Sequence, residues 1–242
     1  MLARMMDRVE TALAEQTPLA ASTAFFDAMR REGATYLQTR AYLRPAGRLS
    51  STKHWNAGGL IVRISPEEWP ASPGFHYVCF DNNPLLTAIR ENRTLYRFSD
   101  FAPAAHREFG DYWDAYGQAR IADALCATSY GAEGRIASLH LGFDVRAFDP
   151  AEAMAIQMAG LALTEKLMQL AAPAPDDRRP RLSSRERDAL AFVAEGKTDW
   201  EISVIMGVSQ TTARFHVDRG RRKLGAVNRA QAVAHLVSQR LI

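Results

Sequence analysis

Four helix-start signals crowd into residues 182–242, and they constrain the fold more than any other stretch of the chain. Ser183 is followed three residues later by Glu186, Thr198 by Glu201 and Asn228 by Gln231. In each pair the first side chain accepts from an orphan amide and the second reaches back to the cap. Ser209 is a fourth N-cap, ahead of 210–224. These signals predict four helices, roughly 184–195, 199–206, 210–224 and 229–238. Gly196 stands where a left-handed residue closes a helix, and Gly207-Val208-Ser209 makes a tight turn between the second and third helices. The stretch therefore reads as an all-α four-helix module with a helix-turn-helix inside it.

In the third helix Ala213, Val217, Gly220 and Leu224 recur at helical spacing and form a narrow apolar seam. Gly220 costs about 1 kcal/mol of helix propensity against alanine, so it predicts a close packing contact. Off the seam lie Thr211, Thr212, Arg214, His216, Arg219, Arg221, Arg222 and Lys223. A short helix presenting arginines and small polar side chains fits the major groove of double-stranded DNA. Residues 178–242 hold 13 Lys and Arg against 6 Asp and Glu, a net +7, whereas the whole chain is +3. The basic charge is concentrated where phosphate contacts would need it. The alternative for this module is a solvated helical bundle that contacts protein.

At 242 residues, two domains are expected. Residues 171–181, with three prolines and several charges, read as a linker between a domain at 1–170 and the basic module at 182–242. No apolar run reaches membrane-spanning length, and the first sixteen residues form an amphipathic helix pattern without the apolar core of a signal peptide. Cys79 and Cys126 make no disulfide framework. These features lead to the expectation of a cytoplasmic, reduced setting, no membrane partner, no metal and no cofactor.

The large domain mixes element types. Residues 3–15 and 18–33 read as helices, 35–43 and 59–64 as strands. Asn83-Pro84 opens a helix to about Asn92, with asparagine as N-cap and proline at the first helical position. Residues 104–123 read as helical. Strands at 125–129 and Arg135–Phe143 are joined at Gly131–Gly134, and Pro150–Leu170 is a long helix. Helices on both faces of a mainly antiparallel sheet give an α-β-α sandwich, so the chain as a whole is classed α+β.

The module at 182–242 resembles the DNA-binding domain of LuxR-type regulators. The resemblance rests on Leu182, Ser183 and Glu186; on Glu195-Gly196-Lys197-Thr198, Glu201-Ile202 and Gly207-Val208-Ser209; and on Thr212-Ala213-Arg214, His216, Arg222-Lys223-Leu224-Gly225 and Asn228-Arg229. It implies that 210–224 enters the major groove, with Thr212, Arg214 and His216 near bases or adjacent phosphates and Arg219, Arg222 and Lys223 along the backbone; Thr211 is a further candidate DNA-binding residue. It further implies a homodimer, or a heterodimer with a related regulator, on a two-fold symmetric operator.

The same family carries an N-terminal signal-binding domain with a similar order of elements. Pro66-Glu67-Glu68-Trp69 resembles the segment whose tryptophan contacts the lactone carbonyl of acyl-homoserine lactones. Asn83-Pro84 falls where the family has Asp-Pro, Phe98 stands for a pocket tryptophan, and His140 replaces a small hydroxyl residue facing the ligand. The chain departs from the family in several places. Trp69 to Asn83 is one residue longer than usual, Pro73 takes the place of a tyrosine so that Phe75 is the nearest aromatic, and Asp123 falls near a usual glycine. The resemblance thus implies Trp69, Phe75, Asn83, Phe98 and His140 as ligand-binding residues. The signal would be an acyl-homoserine lactone, a related small molecule or none; a signal-independent regulator or an anti-activator acting through heterodimers is the alternative. From the residues alone, Asn83 is accounted for as a helix cap, Phe98 as core packing, and His140, between Leu139 and Leu141, as a hydrogen-bonded core histidine. An enzyme reading would pair Cys126 with His140 as nucleophile and base, or His76 with Cys79 as metal ligands. Neither pair has a third member at the needed spacing, so no enzyme activity is expected.

Overall fold

The computed structural model describes residues 1–45, 48–171 and 182–238. The chain divides into two compact units, Met1–Ala172 and Pro173–Ile242. Apart from its first residue, the expected linker at 171–181 lies outside the described residues.

In the first unit, helices α1 (Leu2–Ala14) and α2 (Pro18–Arg30) precede strand β1 (Ala34–Leu43). The short helix α3 (Ser51–Asn56) leads to β2 (Leu60–Ile64), followed by α4 (Pro73–His76), α5 (Leu86–Arg90) and β3 (Leu95–Arg97). Then come α6 (Gly110–Gly117), β4 (Asp123–Tyr130), β5 (Arg135–Phe143) and α7 (Pro150–Leu170). Local chemistry sets several of these starts. Thr17 accepts from the Ala20 amide ahead of Pro18, and Asp149 accepts from Ala151 and Glu152 ahead of Pro150. Proline at the first helical position gives up only an N–H that would be orphaned anyway.

The five strands form one antiparallel sheet in the order β2-β1-β5-β4-β3. Strand alternation divides its side chains between two cores. Leu37, Leu125, Leu139 and Leu141 face Val9, Phe25, Met29, Ile156 and Leu163 of α1, α2 and α7. On the opposite face Tyr36, Tyr96 and Cys126 meet an aromatic layer of Trp69, Phe75, Phe98, Tyr112 and Tyr116. This is the expected α-β-α sandwich.

Several element boundaries differ from the sequence reading. The helix expected over 104–123 is only α6, because the chain turns after Gly117, places Arg120 in the left-handed region at φ 58°, and enters β4 at Asp123. The helix expected to start at Asn83 begins at Leu86, and no side chain caps it. A wide π-turn over Tyr77–Asp81 delivers the chain to Asn83, whose amide donates to the Cys79 carbonyl at 3.4 Å. The sequence reading did not anticipate α3 or β3.

In the second unit α8 (Ser184–Ala194), α9 (Asp199–Met206), α10 (Gln210–Lys223) and α11 (Arg229–Ser238) enclose a core of Leu190, Ile202, Met206, Val217, Leu224 and Leu236. The capping boxes at Ser183–Glu186 and Thr198–Glu201 form in both directions. The third is displaced: Asn228 accepts from Gln231, but the Gln231 side chain accepts from Val227, one residue before the cap. Gly220 is the close contact expected, since a Cβ there would stand 2.7 Å from Leu190 Cδ1.

Candidate ligand cavity and nucleic-acid interface

The aromatic side of the sheet is incompletely filled. A small cavity, partly open to solvent, lies between the sheet and the segments carrying Trp55, Trp69 and Asn83. Four of the five expected ligand residues, Trp69, Phe75, Asn83 and His140, line it. Phe98 does not. It is 1% exposed and packs beneath the cavity, its ring 5.3 Å from His140 and 5.1 Å from Tyr116, so its role is core packing.

Trp69 is held edge-on by Phe75 at 5.8 Å, and its backbone carbonyl accepts from the Ser72 hydroxyl at 2.8 Å. The indole of Trp113 donates to the Ala102 carbonyl at 3.0 Å. His140 Nε2 lies 3.1 Å from the Tyr96 hydroxyl, and burial pushes its pKa down to about 4.

The strand alternation that fills the core also points Gln38, Arg40 and Tyr42 of β1 into the cavity, opposite His140, Ser138 and Ile136 of β5. The sequence reading missed these residues. The alternation of Leu37, Thr39 and Ala41 with Tyr36, Gln38, Arg40 and Tyr42 was the available signal. Arg40 is 4% exposed. Its Nε and Nη2 donate to the Gly58 carbonyl at 3.1 and 2.6 Å, Nη2 also to the His54 carbonyl at 3.0 Å, and Nη1 lies 2.8 Å from His54 Nε2. Its guanidinium stacks 4.5 Å from the Tyr42 ring centroid. Arg63 donates twice to Gln38 Oε1 and lies over Phe75 at 4.6 Å. Burial, and then the Arg40 charge, push His54 down to about 3.

These two imidazoles make the stability of the unit depend on pH. Their folded pKa values lie below the ordinary 6.5, so folding favours the neutral rings. Their contribution is complete above about 6.5 and is lost as pH falls towards 4. Because a tenfold change in proton affinity corresponds to about 1.4 kcal/mol, the expected loss over that window is a few kcal/mol. Urea midpoints followed by tryptophan fluorescence from pH 7 to pH 4.5 measure it. His140→Gln should flatten the profile; an unchanged slope in that variant would contradict the assignment.

Cys126 and His140 are register partners across β4 and β5, as the enzyme reading required. Burial holds the thiol well above its usual range and the imidazole below its own, so both are neutral, the reverse of an activated thiolate pair. His76 pairs with Asp81 at the surface, while Cys79 lies on the cavity wall. Among the described residues no three His, Cys, Asp or Glu side chains gather in a metal-binding group, and no helix is long and apolar enough to cross a membrane.

In the second unit α10 is packed through Ala213, Val217 and Gly220, which leaves its opposite face open. Thr211, Arg214, Arg219 and Arg222 are exposed, while Thr212, His216 and Lys223 are half-buried. Thr212 is partly engaged, its amide and hydroxyl bonding the Ser209 cap at 3.1 and 2.8 Å. Arg219 and Lys223 reach across to Glu186 of α8 at 3.3 and 2.7 Å. Burial alone would raise the Glu186 pKa; hydrogen bonds from Lys223 and the Ser183 amide outweigh it and hold the carboxyl below its usual range. Arg221 donates to the Ala226 and Val227 carbonyls beyond the helix end. Arg214 and Arg222 are the least restrained: Arg214 is 4.0 Å from Asp218, and Arg222 Nε donates to the Asp218 carbonyl. Phe215, 48% exposed, lies on the same face with Arg219 above its ring, and the sequence reading did not single it out.

Residues 180–236 match the family described as bacterial regulatory proteins, luxR family. The chain is 36% identical over 149 residues to the HTH-type quorum sensing-dependent transcriptional regulator RpaR of Rhodopseudomonas palustris, which covers 59% of this chain and 56% of that protein. It is 27% identical over 186 residues to the transcriptional activator protein BjaR1 of Bradyrhizobium diazoefficiens, covering 74% and 76%. The chain thus spans about half the length of the first relative and three quarters of the second. Both relatives are transcription regulators, not enzymes. Among solved structures, Escherichia coli SdiA matches with a TM-score of 0.61 at 16% identity, covering 100% of this chain and 97% of that one. SdiA in complex with octanoyl-rac-glycerol matches with a TM-score of 0.62 at 15% identity, covering 98% and 94%. At that identity the likeness is one of fold.

Proposed function

We propose, from the premise that this chain belongs through its C-terminal domain to the luxR family of bacterial regulatory proteins, that it is a signal-responsive transcription regulator acting in the cytoplasm. The unit at 182–242 binds double-stranded DNA, with α10 in the major groove. Arg214 and Thr211 read bases, His216 and Thr212 lie beside them, and Arg219, Arg222 and Lys223 contact phosphates. The chain acts as a homodimer on a two-fold symmetric operator whose half-sites lie about one helical turn apart. The single observation carrying this reading is the arginine-bearing α10, seated on its neighbours by a narrow seam and free on the opposite face.

The unit at 1–170 holds a small acyl-type signal in the cavity lined by Trp69, Phe75, Asn83 and His140. The Trp69 indole donates to a carbonyl of the signal. The Asn83 side chain donates through its amide nitrogen to the Cys79 carbonyl and keeps its Oδ1 for a ligand N–H. The signal shifts the balance between states with different DNA affinity only as far as its own affinities for those states differ.

The test is thermal unfolding of the purified chain with and without a panel of acyl-homoserine lactones. Binding at 100 times Kd stabilises by about 2.7 kcal/mol. Trp69→Phe keeps an aromatic ring but removes the donor, so affinity should fall about tenfold, about 1.4 kcal/mol. An unchanged affinity would remove Trp69 from the ligand site.

A further inference from the structure

The cavity contains a positive charge with no counter-ion. Arg40 lines it, yet no Asp or Glu appears among the lining residues, and Arg40 forms no ion pair among the described residues. Its neighbours do not supply the missing charge. Burial pushes Cys79 up to about 11 and holds the Tyr36 and Tyr42 phenols above their usual range, so all three are neutral. Arg63 adds a second guanidinium nearby, and a second hollow lined by Arg40, Trp55, Gly58, Leu60 and Arg63 shares Arg40 and Trp55 with the first. Hydrogen bonds to backbone carbonyls satisfy N–H groups but leave a buried charge uncompensated, which is costly.

The donors here also outnumber the acceptors. A guanidinium only donates, so His54 Nε2 must accept from Arg40 Nη1. In the neutral ring this places the proton on Nδ1, and Nδ1 is buried without a partner. Arg40 retains one N–H on Nη1 beyond its described bonds. Ser138, the register partner of Arg40 on β5, and Thr128, the partner of Ser138 on β4, add hydroxyls to the same wall. A cation and two hydroxyls beside an aromatic chamber, with an unmet imidazole N–H buried in the wall behind them, make a site for a two-oxygen anion on an apolar body.

We propose that the ligand of this cavity is an acyl or aryl carboxylate, its anionic end held by Arg40 and His54 and its apolar body against Trp55, Trp69 and Phe75. This rests on the reading of the cavity as the signal site, and it replaces a neutral head group with a charged one. Arg40 is then the residue that sets specificity for charge.

The experiment uses matched pairs: N-acyl-homoserine lactones of graded acyl length, with one phenylacetyl member, and the same compounds with the lactone ring opened to the hydroxy acid. Affinities for the full chain are read by calorimetry at neutral pH. The open acid should bind at least about tenfold tighter than its lactone. Arg40→Met should abolish that preference and Arg40→Lys keep part of it, both folded by circular dichroism. If Arg40→Met does not fold, the native pair comparison and Arg40→Lys decide. A purely structural Arg40 would alter stability but leave the acid-to-lactone ratio unchanged, and that result would overturn the assignment. Lactones binding as tightly as their acids would overturn the anionic ligand while leaving the sensing role intact. No binding by either form of any member would overturn the sensing role and this inference with it.

Discussion

Replacing Gly59 with alanine unfolds the N-terminal domain, whereas the same change at Gly58 costs only about 1–2 kcal/mol. Both glycines are left-handed, at φ 67° for Gly58 and 69° for Gly59. Their surroundings differ. A Cβ at Gly58 meets nothing within 4 Å, but at Gly59 it would stand 2.1 Å from the Ala41 carbonyl oxygen and 2.8 Å from Tyr42 Cβ. Those atoms belong to β1, and the obstruction is backbone, so no rotamer relieves it. The Gly59 carbonyl accepts from the Ala41 amide at 2.8 Å, and the adjacent Gly58 carbonyl holds Arg40. Forcing this segment outward strips β2 from β1 and opens the cavity wall. The expected cost at Gly59 exceeds about 4 kcal/mol, the range reserved for strain and overpacking of this kind. Urea unfolding of the two variants side by side separates conformational strain from collision. Equal midpoints would show that the approach of Gly59 to β1 is not restrictive.

The second large effect falls on α10. Arg214→Ala should cost about 1–3 kcal/mol on the preferred operator and relax base preference, because Arg214 is exposed and, among the described residues, carries only one weak ion contact. Arg222→Ala should weaken binding to every duplex alike and reduce the salt slope by about 1, the signature of a lost phosphate contact. Arg219 and Lys223 differ because Glu186 already neutralises part of their charge. Identical affinities and slopes for both variants and the parent would place the DNA-reading surface elsewhere.

The C-terminal unit was legible in the sequence almost residue by residue because its signals are local. Ser183, Thr198 and Ser209 act on amides three residues away, and the Ala213–Val217–Gly220 seam follows from helical periodicity alone. The long helix over Pro150–Leu170 was legible for the same reason, and the structure adds its Asp149 cap. The cavity was legible only in part. Family register put forward Trp69 and His140, which line the cavity, yet the charge that gives the cavity its character was missed. Arg40 matters because Gly58 and His54 are returned to it by the β1–β2 pairing and the α3 turn, and no local pattern announces that meeting. Phe98 was misplaced for a related reason, since a buried aromatic beside a cavity and one lining it share the same sequence pattern. Asn83 was read as a cap because Asn-Pro favours one; the preceding π-turn carried its side chain to Cys79 instead.

Salt titration of duplex DNA binding by the intact chain, with a randomised duplex at low ionic strength as the starting point, tests the central claim most directly. The account predicts measurable affinity for any duplex and a linear fall of log K with log salt, steeper than about −3, as several released counter-ions require. A folded chain with no affinity for duplex at low salt, or with an affinity indifferent to salt, would contradict it.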